Sequence, residues 1–255
     1  MNASVPKVLS IAGSDPSGGA GIQADLKTFT ALGVYGMAAI TSLTAQNTCG
    51  VYDIHEPPSK FLKAQLKAIF EDVMPDAVKI GMVHSRDAME VVLEVLQKYN
   101  PAFNVLDPVM VSTSGHTLIS DDSIDFLKNE LSKHVDLITP NLHEAKILYG
   151  DDLSYETLSP TILLKGGHSD GDNCHDVLYE NGSKTVFEGK RIDTQNTHGT
   201  GCTLSSAIAA NYAKGESLTS AIKKAKLYIH QAIKGADVLN VGSGCGPVNH
   251  LHGKV

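Results

Sequence analysis

The chain has 255 residues, with 28 Asp plus Glu against 21 Lys plus Arg and a formal net charge of −7 when its 11 His are neutral. That balance offers no attraction to anionic polymers, and without Trp or a basic run the chain gives no support to nucleic-acid binding. Hydrophobic residues at 42% and charged residues at 19%, with Gly and Pro scattered, exclude wholesale disorder and describe a chain able to bury a sizeable core.

The opening MNASVPKVLSIAGSD holds one Lys and a short apolar run, VLSIA, which is not the pattern of a signal peptide. No segment approaches the roughly 18 uninterrupted apolar residues of a membrane helix, so a cytoplasmic protein without a membrane partner is expected. Cys49, Cys174, Cys202 and Cys245 stand far apart with no CxxC pair. They read as reduced thiols rather than a zinc knuckle or a redox dithiol.

Short β-branched runs alternate with stretches of helical period, which predicts βα units and a largely parallel sheet. The first strand, Val8 to Ala12, runs into the glycine-rich turn Gly13 to Gly21 and a helix with the apolar stripe Ile22, Leu26, Phe29 and Leu32. Ala38 to Ala45 and Val51 to His55 read as strands, and Phe61 to Phe70 as a helix. Ala77 to Ile80 is a strand followed by a helix through Ala88 to Val95. Strands Asn104 to Leu106 and Val135 to Ile138 end at Asp107-Pro108 and Thr139-Pro140-Asn141. Thr161 to Lys165 has the unbroken apolar character of a strand covered on both faces, and Asn181-Gly182 marks a hairpin between Asp176 to Tyr179 and Lys184 to Phe187. The turn His198-Gly199-Thr200-Gly201 opens a helix from Cys202 to Ala213, and Leu218 to Val238 forms the last. With no repeat or linker, residues 1–255 read as one domain, with 242–255, rich in Gly and His, as a loose tail.

Gly199, Thr200, Gly201 and Cys202 place small residues at a helix mouth, where free amides and the helix dipole make an anion site. The alternative is a tight connection in which glycine merely permits the turn. Cys202 sits in the first turn, where a helix end lowers a thiol's pKa, or it is simply a small packed residue. The turn Gly13 to Gly21 matches neither the dinucleotide fingerprint nor the phosphate loop, leaving a turn over a planar ligand or an ordinary connection. Asp25 and Gln46 stand where both could face that pocket, or be a surface carboxylate and a loop amide.

Asp107, Asn141 and Glu144 lie just beyond strand ends, where ligand sites of open α/β sheets gather. Their oxygens suit Mg²⁺, but Asn141 and Glu144 also have the N-x-x-E spacing of a capping box, which is the favoured reading of those two on the residues alone. None of the histidines has the HExxH arrangement, and His250-Leu251-His252, the close pair, reads as a solvated tail. No GxSxG elbow is present, which disfavours a serine hydrolase.

AGSDPSGGAGIQADLKTF (12–29), AQNTCGV (45–51), KIGM (79–82), LDPVM (106–110), DLITPNLHEA (136–145), LKGGH (164–168), NTHGTGCTLSSA (196–207) and GPVNHLH (246–252) occur in this order. Together they resemble the hydroxymethylpyrimidine kinase and phosphomethylpyrimidine kinase family of thiamin biosynthesis, in the ribokinase-like superfamily. The resemblance implies an α/β fold, a single three-layer αβα sandwich with a mostly parallel central sheet. It implies ATP as co-substrate with Mg²⁺, and phosphoryl transfer to 4-amino-5-hydroxymethyl-2-methylpyrimidine and then to its monophosphate. By motif position, Gln46 holds the pyrimidine edge, with Gly13, Asp25, Met82 and Val109 completing the pocket. Cys202 stands where sugar-kinase relatives carry an aspartate base. The amides of Gly199 to Cys202 stabilise the transferred phosphoryl, Asp107 and Glu144 place the metal, and Asn141, Lys165 and Gly166 border the nucleotide. A homodimer is also implied.

The sequence departs from this family where relatives carry a full helix and Asp151 to Pro160 offers ten residues, and at His116, where an acidic residue is common. Two other functions are compatible with the same motifs: a pyridoxal or pyridoxine kinase of vitamin B6 salvage, and a non-catalytic pyrimidine- or vitamin-binding regulator.

Overall fold

The structure, a computed structural model, describes residues 4–111, 119–150, 160–166 and 173–253. The strands are β1 (Lys7–Ser14), β2 (Tyr35–Asn47), β3 (Gly50–His55), β4 (Ala77–Ile80), β5 (Asn104–Leu106), β6 (Leu137–Ile138), β7 (Thr161–Leu164), β8 (Asp176–Glu180) and β9 (Ser183–Phe187). They form one sheet in the order β3-β2-β1-β4-β5-β6-β7-β8-β9. The pairings from β2 through β1, β4, β5 and β6 to β7 are all parallel. Antiparallel β3 extends one edge, and the β8–β9 hairpin, turning at Asn181-Gly182, extends the other.

Helices cover both faces, and the alternation along the parallel strands dictates how. In β1, Leu9 and Ile11 point into a core shared with α2 (Ser59–Phe70), α3 (Arg86–Tyr99), α4 (Asp121–Asn129) and α5 (Leu142–Tyr149), through Leu62, Leu66, Met89, Val92, Leu127 and Leu148. Val8, Ala77, Val105, Leu137 and Leu163 point the other way, onto α1 (Gly21–Ala31), α6 (Thr200–Ala213) and α7 (Leu218–Lys234). The result is the three-layer α/β sandwich. Helix α6 is buried nearly throughout its length, from Thr203 to Asn211, which explains its lack of an amphipathic stripe.

Several boundaries differ from the sequence reading. Helix α4 was not anticipated. Strand β2 runs from Tyr35 to Asn47, α6 begins at Thr200, and α7 stops at Lys234 rather than Val238. The expected loose tail is tied down as far as the described residues extend. Cys245 N–H bonds Thr48 O, His198 N–H bonds Gly246 O, and Asn249 N–H bonds Ala232 O. Val248 and His250 are buried, and Thr203 Oγ1 lies 3.0 Å from His250 Nε2. Backbone pairing with two loops and a helix end, which composition does not reveal, holds this segment. The short crossover at 151–159, and His116, lie outside the described residues.

Candidate active site

The carboxyl ends of the parallel strands open into a cavity of about 780 Å³. One end is walled by Gly13, Thr44, Gln46, Met82, Val109 and His198, the middle by Asp107, Glu144, Lys165 and Gly199 to Cys202, and the far end by Lys190, Arg191, Lys226, Ile229, His230 and Ile233. Asn141 also reaches it.

Two glycine-rich loops meet over the first of these regions. Gly199 adopts φ +80, and a Cβ there would lie 1.8 Å from Gly19 O, so the loops approach backbone to backbone. Gly13 is similarly confined, since a Cβ would lie 2.7 Å from Ser42 Oγ and 3.4 Å from Met82 Sδ. Asp15 stitches its own loop together by accepting from Ser17 N at 2.8 Å, Ser17 Oγ at 2.7 Å and Ala20 N at 2.8 Å. It also crosses to the other loop, where His198 Nε2 lies 2.8 Å from Oδ2. Burial acts to raise the Asp15 pKa, but the hydrogen bonds from His198 and Ser17 prevail and hold it at about 2.

Gly199 is the N-cap of α6 and supplies no side-chain cap. Thr200 N–H turns back to Thr197 O, whereas none of the described hydrogen bonds uses the amides of Gly201 and Cys202. The anion site predicted for the whole turn therefore narrows to those two amides and the positive helix end. The Cys202 thiol behaves contrary to the expectation for a helix start. Burial pushes it up to about 11, with Asp25 and Asp107 reinforcing the effect and Lys79 opposing it. It is a neutral thiol at pH 7.

Beside this turn, Lys165 Nζ lies 2.8 Å from Asp107 Oδ1 and 3.9 Å from Glu144 Oε2. Asp107 also accepts from Thr139 Oγ1 at 3.2 Å. Burial opposes ionisation of Asp107, but Lys165 and Lys79 outweigh it and keep its pKa below the ordinary value. Glu144 goes the other way, raised by burial and by the Asp107 charge, with Lys165 opposing. Asn141 and Glu144 do form the capping box of α5: Glu144 N–H donates to Asn141 Oδ1 at 2.8 Å, and Asn141 N–H donates to Glu144 Oε2 at 2.7 Å. The two readings of this pair are compatible, because the capped residues still face the cavity. Among the described residues no three His, Cys, Asp or Glu side chains cluster as a metal cage. Two carboxylates divided by an ammonium suit a hydrated Mg²⁺ that takes its remaining ligands from phosphate.

Two predicted site residues stand elsewhere. Asp25 is sealed beneath the cavity, with Lys79 Nζ at 2.9 and 3.0 Å, Ser10 Oγ at 2.5 Å and Ser206 Oγ at 2.7 Å. Strand alternation explains this: Val78 and Ile80 occupy one core, which turns Lys79 and Ser10 toward α1 and α6. Gly166 is turned inward, its N–H donating to Asp176 Oδ1 at 2.9 Å. Sequence reasoning also passed over Asp15 and Lys79 and weighed His198 only as a metal ligand, although each lies inside a quoted motif.

The family model described as phosphomethylpyrimidine kinase matches residues 15–249. A hydroxymethylpyrimidine/phosphomethylpyrimidine kinase of Rhizobium meliloti (strain 1021) is 44% identical over 257 residues, 96% of each chain. The crystal structure of phosphomethylpyrimidine kinase from Clostridium difficile 630 superposes with a TM-score of 0.79 at 42% identity, covering 89% of this chain and 99% of that one. Bacillus subtilis pyridoxal kinase, solved as an ADP complex, gives 0.87 at 35% identity with 98% of each chain covered. With a family model spanning most of its length and a near full-length relative at 44% identity, the chain belongs to the phosphomethylpyrimidine kinase family.

Proposed function

We propose that this protein transfers the γ-phosphoryl group of Mg·ATP to the hydroxymethyl group of 4-amino-5-hydroxymethyl-2-methylpyrimidine, and then to the resulting monophosphate. The observation that carries this reading is the continuity of one cavity, which joins Gln46, Met82 and Val109 to the Gly201 and Cys202 amides and on to Lys165 and Asp107. In that order the walls suit a small planar ring, a phosphoryl group in flight and a nucleotide. Gln46 offers a carboxamide to the ring edge, and Gly13 lets the ring approach the backbone. The far end, apolar at Ile229 and Ile233 and carrying Lys190, with Lys226 paired to Asp176 at 2.6 Å, accommodates the nucleotide.

Positioning and charge stabilisation do most of the work in phosphoryl transfer. The Gly201 and Cys202 amides act on charge developing at the transferred phosphoryl, and Lys165 supplies a fixed cation. Asp107, kept ionised, and Glu144 would hold Mg²⁺ through its water ligands, and the ion neutralises phosphate charge when bound. The neutral Cys202 thiol leaves proton removal from the first substrate as a minor contribution. Asp25 serves as the buried counter-charge of Lys79 rather than as a substrate contact. A homodimer follows from the family resemblance, and light scattering at micromolar concentration tests it.

A second reading, phosphorylation of pyridoxal, is favoured by the superposition on Bacillus subtilis pyridoxal kinase. Product-resolved turnover of Mg·ATP with each acceptor, read by mass, decides between them. Successive appearance of the pyrimidine monophosphate and diphosphate is the expected outcome. Phosphorylation of pyridoxal alone would overturn it, and turnover of neither would point to a binding regulator.

A further inference from the structure

Asp15 and His198 form a buried polar pair that the chemistry above leaves unused. His198 is held on every side: its N–H donates to Gly246 O, its carbonyl accepts from Val248 N, and a Cβ on Gly19 would fall 2.3 Å from its Cδ2. Its Nε2 makes two contacts, 2.8 Å to Asp15 Oδ2 and 3.4 Å to Gln46 Nε2. We infer that the Asp15–His198 pair is a positioning device that fixes which end of the Gln46 carboxamide is offered to the ring of the acceptor substrate. The inference rests on the reading of Gln46 as the ring contact.

The logic is one of donors and acceptors. The Asp15 carboxylate takes hydrogens from Ser17, Gly19 and Ala20, and is an acceptor only. The His198 nitrogen facing it must therefore carry a hydrogen, whether the ring is neutral or charged. A protonated Nε2 has no lone pair left for the Gln46 N–H that faces it at 3.4 Å, so the carboxamide is turned over to put Oε1 there, sharing the hydrogen with Asp15. The other end of the carboxamide agrees. Thr44 Oγ1 lies 3.2 Å from Gln46 Oε1 and 2.9 Å from Ser14 O; its one hydrogen goes to the nearer Ser14 O, which leaves Oγ1 lone pairs toward Gln46 that suit the NH₂ once the carboxamide is turned over. Both neighbours thus select the orientation with oxygen toward His198 and the NH₂ toward Thr44, with one amide hydrogen left for a ligand. The substrate must then present a hydrogen-bond acceptor to Gln46, which on the pyrimidine ring is an unprotonated ring nitrogen rather than an N–H or C–H.

The test combines spectroscopy with kinetics on the full chain. Nitrogen-15 NMR of the ligand-free protein should show His198 Nε2 bearing hydrogen from pH 6 to 8, and Asp15→Asn should shift that resonance. A pyrimidine analogue with the ring nitrogen replaced by C–H should lose about tenfold in KM with the wild-type protein, the scale of one hydrogen bond. His198→Leu should raise the KM for the pyrimidine about tenfold, leave the KM for ATP unchanged, and erase the discrimination against that analogue. His198→Gln, which keeps an N–H near the same place, should restore it. Equal rises in both KM values, no rescue by Gln, or an Nε2 without hydrogen would each overturn the positioning role. If Gln46→Leu leaves the pyrimidine KM unchanged while the NMR result holds, the ring-contact reading has failed instead, and the positioning role goes with it.

Discussion

The Cys202 thiol gives the sharpest handle on the chemistry. Burial carries it from the ordinary 9.0 to about 11. At pH 7.5 about 3 molecules in 10,000 then hold the thiolate, against about 3 in 100 for an unperturbed thiol. Alkylation by iodoacetamide should accordingly run about a hundredfold slower than at an exposed cysteine, and rise tenfold per pH unit up to about pH 10. If the thiolate were the base for the hydroxymethyl group, turnover of that substrate would climb with the same slope. Because the amides, Lys165 and the metal are expected to dominate, turnover should instead stay flat from pH 7.5 to 9.5. Cys202→Ala should cost the first step less than about tenfold, below the 10²–10⁴ of a true general base. Steady-state rates with mass detection of the monophosphate, measured beside the alkylation profile, provide the check. A log-linear rise in turnover that disappears in Cys202→Ala would refute the reasoning.

Three further outcomes follow. Lys79→Met strands the Asp25 carboxylate in a fully buried site, and should destabilise the fold by about 3–5 kcal/mol in urea titrations, with Asp25→Leu recovering much of the loss. Gly199→Ala puts a Cβ 1.8 Å from Gly19 O at a positive φ. It should lower turnover of both acceptors by more than about a hundredfold while far-ultraviolet dichroism is retained, since the displaced turn carries the anion site. Burial, with Lys27 and His252, lowers His250 from 6.5 to about 4. Between these values the unfolded chain binds the extra proton, so stability is lost as pH falls through that window, by up to about 3 kcal/mol. His250→Gln should flatten this slope in chemical denaturation from pH 7 to 4.

What the sequence made legible was what local chemistry determines. The β-branched runs of β1, β4 and β7 and the turn at Asn181-Gly182 carry their structure in their own residues, as does the Asn141/Glu144 capping box. Helix α4 had a serine N-cap position and the apolar set Ile124, Phe126 and Leu127, but these were not read as an element. The fate of Asp25 was hidden for a different reason. A carboxylate on a helix reads as exposed until the partner strand is known, and it is the parallel register of β1 with β4 that delivers Lys79. The Asp15–His198 contact joins residues 183 positions apart, and the packing of His250 against Thr203 depends on a tail whose composition suggested the opposite. Long-range pairing of polar groups leaves no periodic trace in sequence, and these are the groups that set the electrostatics of the site.

The neutral thiol also bears on why this position holds cysteine at all. The two acceptors differ in charge at the reacting end: a neutral hydroxyl first, then a phosphate that is already an anion. A carboxylate at residue 202 would assist the first transfer by taking a proton, but it would stand against the second substrate. Two unit charges 4 Å apart at an effective dielectric of 20 interact by about 4 kcal/mol, equivalent to nearly a thousandfold in rate. The side-chain charges beneath the turn offset only part of this, because Lys79 is matched by Asp25 and Lys165 is shared with Asp107. Cys202→Asp should therefore separate the two activities, keeping phosphorylation of the hydroxymethyl compound within about tenfold while depressing that of the monophosphate by about 10²–10³. Equal losses on both substrates would mean that residue 202 shapes the turn sterically and that charge at this position is not what permits two successive transfers in one site.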